Sequence, residues 1–95
     1  MKVYLDDIRP APEGWKRAYT AQGCIYLLKN DTVTYLSLDH DLGDPKYNGT
    51  GYDVMLWLEE RAFLDPSFTV PVVTFHTANY WGRRRMQQSL ASITK

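Results

Sequence analysis

Short apolar runs alternate with amphipathic stretches along this 95-residue chain. Residues 2–6 open it with an apolar run that reads as a buried first strand. Arg9-Pro10-Ala11-Pro12-Glu13-Gly14 follows, and its prolines and glycine predict a loop and not a helix. Trp15 to Tyr19 alternates aromatic and basic residues, the pattern of a short edge strand. Thr20 is placed as the N-cap of a helix over roughly residues 21–29. Ala21, Cys24, Ile25 and Leu28 fall on one stripe of that helix. Asn30-Asp31 breaks it, and Val33 to Leu38 is the next strand.

Leu42 to Gly49 carries Gly43, Asp44, Pro45, Asn48 and Gly49, so it predicts a polar loop placed to move over a site. Thr50 and Asp53 have capping-box spacing, and the helix they start runs from Gly51 to about Ala62. Its buried stripe is Val54, Trp57, Leu58 and Ala62, and Asp65-Pro66-Ser67 ends it. Thr69 to Phe75 is a further strand, and Asn79 caps a last helix with the stripe Met86, Leu90 and Ile93. The order β, β, α, β, α, β, α predicts a single α/β layered domain over residues 1–95. It would hold a mostly parallel four-stranded sheet flanked by about three helices. In such sheets ligands bind beyond the carboxyl ends of the strands, where the strand order reverses. For a 2-1-3-4 order that point lies between the first strand and the strand ending at Leu38.

Composition narrows the classes. Apolar residues make up 44% and charged residues 23%, as in ordinary globular domains. Lys plus Arg and Asp plus Glu are 11 each, so no chain-wide basic field exists for gripping nucleic acid. Any nucleotide contact must come from local patches. The single Cys24 excludes an internal disulfide. With no signal peptide and no long apolar run, the expectation is a soluble cytoplasmic protein that meets no membrane.

The strand ends carry the chemistry. Asp6 and Asp7 follow the first run, Asp39-His40-Asp41 follows the run ending at Leu38, and His76-Thr77-Ala78-Asn79 follows Phe75. If the strands are parallel, these clusters meet at one edge, with both histidines of the protein among them. Asp6, Asp7 and Asp39 are a set of hard oxygen ligands for Mg²⁺ or Mn²⁺. Their mutual repulsion is relieved by a cation. Alternation sends Asp39 and Asp41 to one side and His40 to the other, unless the strand has already ended. His40 is then a general acid or a metal ligand, oriented by a neighbouring carboxylate. Thr77, Asn79 and the backbone N–H groups of the last helix form an anion site. Arg83, Arg84 and Arg85 stand near that helix start, either as a solvated run or with Arg83 or Arg84 facing the site. Arg9 either clamps a phosphate or neutralises Asp6 and Asp7. Tyr80 and Trp81 are candidates for stacking on a base.

The order of these groups resembles a receiver domain of two-component signalling, a flavodoxin-like fold. On that resemblance Asp6 and Asp7 match the metal-binding pair, Asp39 the phosphoacceptor position and Thr77 the switch hydroxyl. Departures are visible. The connection Arg9–Gly14 reduces the first helix to a loop, no fifth strand with its lysine is present, and His40 and His76 are additions. The motifs Leu5-Asp6-Asp7-Ile8-Arg9-Pro10, Leu38-Asp39-His40-Asp41-Leu42-Gly43, Gly49-Thr50-Gly51-Tyr52-Asp53 and His76-Thr77-Ala78-Asn79 resemble a narrower group, the cyclic-phosphate-processing receiver-like family. That resemblance implies a compact receiver-like fold and phosphoesterase action on cyclic phosphates, on RNA 2′,3′-cyclic phosphate ends or cyclic nucleotides.

The expectation is therefore a metal-dependent phosphoesterase. Asp6, Asp7 and Asp39 hold Mg²⁺ or Mn²⁺, and Asp39 joins His40 and His76 in catalysis. One histidine activates water and the other protonates the leaving ribose oxygen. Arg9, Asp41, Thr77, Asn79 and Arg83 or Arg84 bind the substrate, a nucleotide or RNA end bearing a cyclic phosphate. The alternative is a receiver-like signalling or nucleotide-binding module without turnover.

Overall fold

Val3, Leu5, Leu36 and Leu38 are fully buried, and they come from two neighbouring parallel strands. In the computed structural model, which describes residues 1–93, these strands are β1 (Lys2–Leu5) and β3 (Tyr35–Leu38). They form the centre of a four-stranded sheet with β2 (Lys16–Ala18) and β4 (Val72–Phe75) at its edges. The order is β2-β1-β3-β4 and every pairing is parallel. The reversal of strand order expected between β1 and β3 is therefore present.

Four helices accompany the sheet: α1 (Ala21–Asn30), α2 (Pro45–Asn48), α3 (Gly51–Leu64) and α4 (Tyr80–Ile93). Thr20 caps α1 by accepting from the Gly23 N–H at 3.0 Å. Thr50 and Asp53 form the capping box of α3. α1 and α3 pack against one another and share one core cluster, the placement on one face of the sheet that the right-handed crossover rule gives for β2 to β3 and β3 to β4. Cys24 and Leu28 of α1, Val54, Met55 and Leu58 of α3, and Met86 of α4 all join the core cluster with the strand residues.

The α2 helix corrects the expectation of a continuous loop over Leu42–Gly49. Asp44 accepts from the Lys46 N–H at 3.0 Å and Pro45 occupies the first turn, which is a local helix start inside turn-rich sequence. All four strands are shorter than expected: β1 ends at Leu5, β2 spans Lys16–Ala18, β3 begins at Tyr35 and β4 at Val72. The β4 ladder begins only where Val72 N–H donates to the Thr34 carbonyl, because Pro71 has no N–H to give. In α3, Met55 is fully buried while Ala62 is only half-buried, so the stripe turns toward Met55.

The connection from β1 to β2 carries no helix. Alternation leaves Lys2, Tyr4, Tyr35, Ser37, Val72 and Thr74 on the sheet face turned away from the core cluster. No described helix is long and apolar enough to cross a membrane.

Candidate active site

Asp6, Asp39 and His76 are the first residues beyond β1, β3 and β4. The ladder continues through them. Asp6 N–H donates to Ala18 O, Asp39 N–H to Leu5 O and His76 N–H to Leu38 O, each at 3.0 Å. Their side chains are thereby held at one edge by backbone bonds, before any side-chain contact is made.

Asp6 is almost fully buried, with four donors on its carboxylate. Oδ1 accepts from the Ile8 and Arg9 N–H groups, both at 2.8 Å. Oδ2 accepts from Arg9 Nη1 at 3.2 Å and from His76 Nε2 at 3.1 Å. Burial opposes the charge on Asp6. The Arg9 and Ile8 amides, the guanidinium and His76 outweigh burial and hold the pKa below the usual carboxylate value.

His76 lies between Asp6 and Ser37, with Ser37 Oγ 2.7 Å from Nδ1. An ionised Asp6 requires a proton on Nε2, so Nδ1 of the neutral ring accepts from the Ser37 hydroxyl; the hydrogen-bond network assigns this tautomer. The ring stacks on Tyr4 with centroids 4.1 Å apart. Burial lowers the His76 pKa, and Asp6 offsets part of that shift. Both ring nitrogens are thus engaged within the protein.

Asp39 turns Oδ1 back to its neighbour's backbone, accepting from the His40 N–H at 2.8 Å. Its Oδ2 lies 3.8 Å from Arg9 Nη1, so one guanidinium faces both Asp6 and Asp39. Arg9 Nη1 also donates to the His76 carbonyl at 3.3 Å. Beside these groups opens a cavity of about 350 Å³, lined by Asp6, Asp7, Arg9, Asp39, Asp41 and the Thr77-Ala78 turn, with Ile8 and Gly43 at its walls.

Asp41 enters the cavity from a second cluster. His40 Nδ1 lies 2.9 Å from Asp41 Oδ1, and Asn79 Nδ2 donates to both carboxylate oxygens at 3.2 and 3.1 Å. The His40 hydrogen bond is the main cause of a lowered Asp41 pKa, with burial opposing it and Asn79 adding to it. Asn79 also caps α4, its Oδ1 accepting from Gly82 N–H at 2.9 Å. A Cβ on Gly82 would overlap the His40 ring, and a Cβ on Gly51 would overlap the Asp39 carbonyl. Both glycines are present because α3 and α4 start against the site.

Thr77 is buried, and its hydroxyl accepts from the Asn79 N–H at 3.1 Å. Arg83 Nη2 donates to the Thr77 carbonyl at 2.9 Å, so this arginine props the turn from behind. Arg84 is exposed, and Arg85 lies over the Tyr52 ring. Tyr80 and Trp81 pack edge to face on one another and stay exposed, outside the cavity lining.

Sequence reasoning placed Asp6, Asp7, Arg9, Asp39, Asp41 and Thr77 at one edge, and all six line this cavity. The expected trio of cation ligands is arranged differently. Among the described residues, Asp6, Asp39 and His76 offer ligand atoms within 4.8 Å of one another, and Asp7 is outside that group. The two histidines do not meet: His76 is bound to Asp6 and Ser37, and His40 to Asp41 and Asn79. Each stands behind a cavity carboxylate. Ser37, Tyr4, Arg17, Gly51 and Gly82 were missed. Ser37 alone left a signal, a hydroxyl inside the apolar run Tyr35-Leu36-Ser37-Leu38.

A family model, described as the cyclic-phosphate processing receiver domain, matches residues 1–92. No curated protein and no solved structure matches the chain.

Proposed function

We infer that this chain, which belongs to the cyclic-phosphate processing receiver domain family, hydrolyses cyclic phosphates in the cavity at the carboxyl edge of its sheet. The observation that carries this reading is the charge of the cavity wall. Asp6, Asp7, Asp39 and Asp41 oppose the single guanidinium of Arg9. An anionic phosphate enters such a site only with a cation beside it. The donor set fits one: two carboxylates and an imidazole lie close together, and the carboxylate oxygens favour Mg²⁺ or Mn²⁺. A divalent cation held by Asp6, Asp39 and His76 would offset the wall charge and draw electron density from a phosphoryl oxygen. Ser37 suits either state of His76, since its hydroxyl can donate to Nδ1 or accept from Nδ1–H.

The residues then divide the work. Arg9, half-exposed at the rim, offers its remaining N–H groups to the phosphoryl oxygens. Asp41, held by His40 and Asn79, takes a proton from the attacking water. The water oxygen bonds to phosphorus as one ring P–O bond breaks, the leaving ribose oxygen takes a proton from solvent, and Asp41 returns to solvent the proton it collected. The product is a phosphomonoester. This scheme gives proton handling to the Asp41–His40 unit; His76 Nε2 donates to Asp6 while the cation is absent and would give up that bond to become a ligand when it is present. It replaces the expectation of two histidines acting as an acid–base pair.

The test is incubation of the pure protein with 2′,3′-cyclic nucleotides, 3′,5′-cyclic nucleotides and RNA ending in a cyclic phosphate, with Mg²⁺, Mn²⁺ or EDTA. Asp39→Asn and Asp41→Asn run alongside. Metal-dependent product that both variants lose supports hydrolysis and names the substrate. Metal-dependent binding without product leaves a binding module in its place.

A further inference from the structure

The proposed hydrolysis makes no use of the sheet face opposite the helices. That face is built from aromatic and basic side chains. Tyr4 meets Trp15 edge to face at 6.2 Å, and its other side is the stack on His76. Lys2 Nζ lies 5.8 Å from the Trp15 ring and 5.4 Å from the Tyr35 ring. The Arg17 guanidinium lies 4.3 Å above the Tyr19 ring, and its Nε donates to the Asp6 carbonyl at 3.2 Å. Tyr35 is 45% and Tyr19 56% exposed. Among the described residues neither Lys2 nor Arg17 has an ion-pair partner. Below Asp6, no strand position on this face is acidic.

We propose that this face is a platform for the single-stranded RNA leading into a cyclic-phosphate end. Flat rings on a β-sheet stack bases, and cations among them follow the backbone. The geometry joins platform to cavity. Tyr4 stacks on His76, and His76 binds Asp6 at the cavity wall. From Lys2 to Asp6 the strand rises about 13 Å, which is room for roughly two or three stacked bases on such a sheet. A polyanion is favoured over a second copy of the chain by charge. Two such faces related by a two-fold axis would bring the cations Lys2 and Arg17 of both copies together with no acidic strand position to meet them.

This deepens the hydrolytic reading by naming its substrate, and it is tested without turnover. A short 5′-labelled oligouridylate ending in a 3′-hydroxyl, which brings no terminal phosphate to the acidic cavity, is titrated in EDTA and followed by fluorescence anisotropy. Tyr35→Ala and Lys2→Ala are expected to weaken binding about fivefold or more. Lys2→Ala should also reduce the slope of log K against log salt by about 0.7. Tyr26→Ala, on an exposed position of α1, should leave binding unchanged. Absence of binding by the intact protein overturns the proposal. So does equal loss in Tyr26→Ala, or loss confined to Trp81→Ala and Arg84→Ala on α4. RNA binding that depends on Tyr35 and Lys2, with no turnover of any cyclic phosphate, upholds the platform and defeats only the hydrolytic reading. Turnover of cyclic mononucleotides without RNA binding defeats only the platform.

Discussion

Replacing Arg9 with alanine is expected to weaken the fold and tighten divalent-cation binding at once. Arg9 Nη1 lies 3.2 Å from Asp6 Oδ2 and 3.8 Å from Asp39 Oδ2, the position a cation shared by these carboxylates would neutralise. The substitution keeps the Arg9 backbone amide, so Asp6 retains three of its four donors. A hydrogen bond to a charged group contributes about 1.5–3 kcal/mol. The Arg9 side chain is 50% exposed, so screening brings the cost toward about 1 kcal/mol. In a domain of this size that lowers the melting temperature by about 4–8 °C. Removing the same positive charge from beside the ligands improves cation affinity by about 1 kcal/mol, roughly fivefold in Kd. The assay is thermal unfolding in EDTA and then against rising Mn²⁺, for the wild type and the variant. A variant that melts with the wild type in EDTA would refute the stabilising role of the Arg9–Asp6 contact, and one that binds Mn²⁺ no better would show that Asp6 and Asp39 do not share one cation position.

Other outcomes follow from the same geometry. Gly51→Ala pushes a methyl into the Asp39 carbonyl and Gly82→Ala pushes one into the His40 ring. Each should cost about 1–3 kcal/mol in chemical denaturation, and a neutral result would mean the helix starts do not press on the site. Thr50→Val removes the hydroxyl that caps α3 and should cost about 1 kcal/mol, largely restored by serine at that position. Stability in EDTA should fall with pH in two stages, read by denaturant unfolding across the acid range. His76 has a depressed native pKa, so its contribution is present above about pH 6.5 and is lost as pH falls through the native value. Asp6 is also depressed, so its contribution is present above about pH 4 and is lost as pH falls through its lower native value. His76→Gln should flatten the first stage alone; a profile identical to wild type would place that stage elsewhere.

The local devices were legible because each is written within one turn of chain. Thr20 and its Gly23 partner, the Thr50–Asp53 box and the stripe Ala21-Cys24-Leu28 involve neighbours in sequence. The prolines of the Arg9–Gly14 segment rule out a helix there without any tertiary context. The α2 helix shows the limit of that approach. Asp44-Pro45 is a helix start, but Gly43, Asn48 and Gly49 around it outweighed the signal in a reading by composition.

The site was legible as an edge but not as an arrangement. Runs ending in Asp6, Asp39 and His76 predict a shared edge once the strands are parallel, whereas the order β2-β1-β3-β4 was a condition of the reading that only the structure supplies. Asp39 and Asp41 both line the cavity although β3 ends at Leu38, so the turn beyond the strand and not alternation brings them there. What each side chain touches depends on register between distant strands. His76 meets Asp6 across 70 positions and Ser37 across 39, which no local pattern encodes. Those contacts turned His76 from a free acid–base group into the support of a carboxylate, and put it in place of Asp7 among the clustered ligand atoms. The chain by itself determined the elements, their caps and the residues at the strand ends, because short-range sterics and hydrogen bonding decide these. Only the tertiary structure decided which imidazole stands behind which carboxylate and which sheet face stays open, because both depend on packing between segments far apart in sequence.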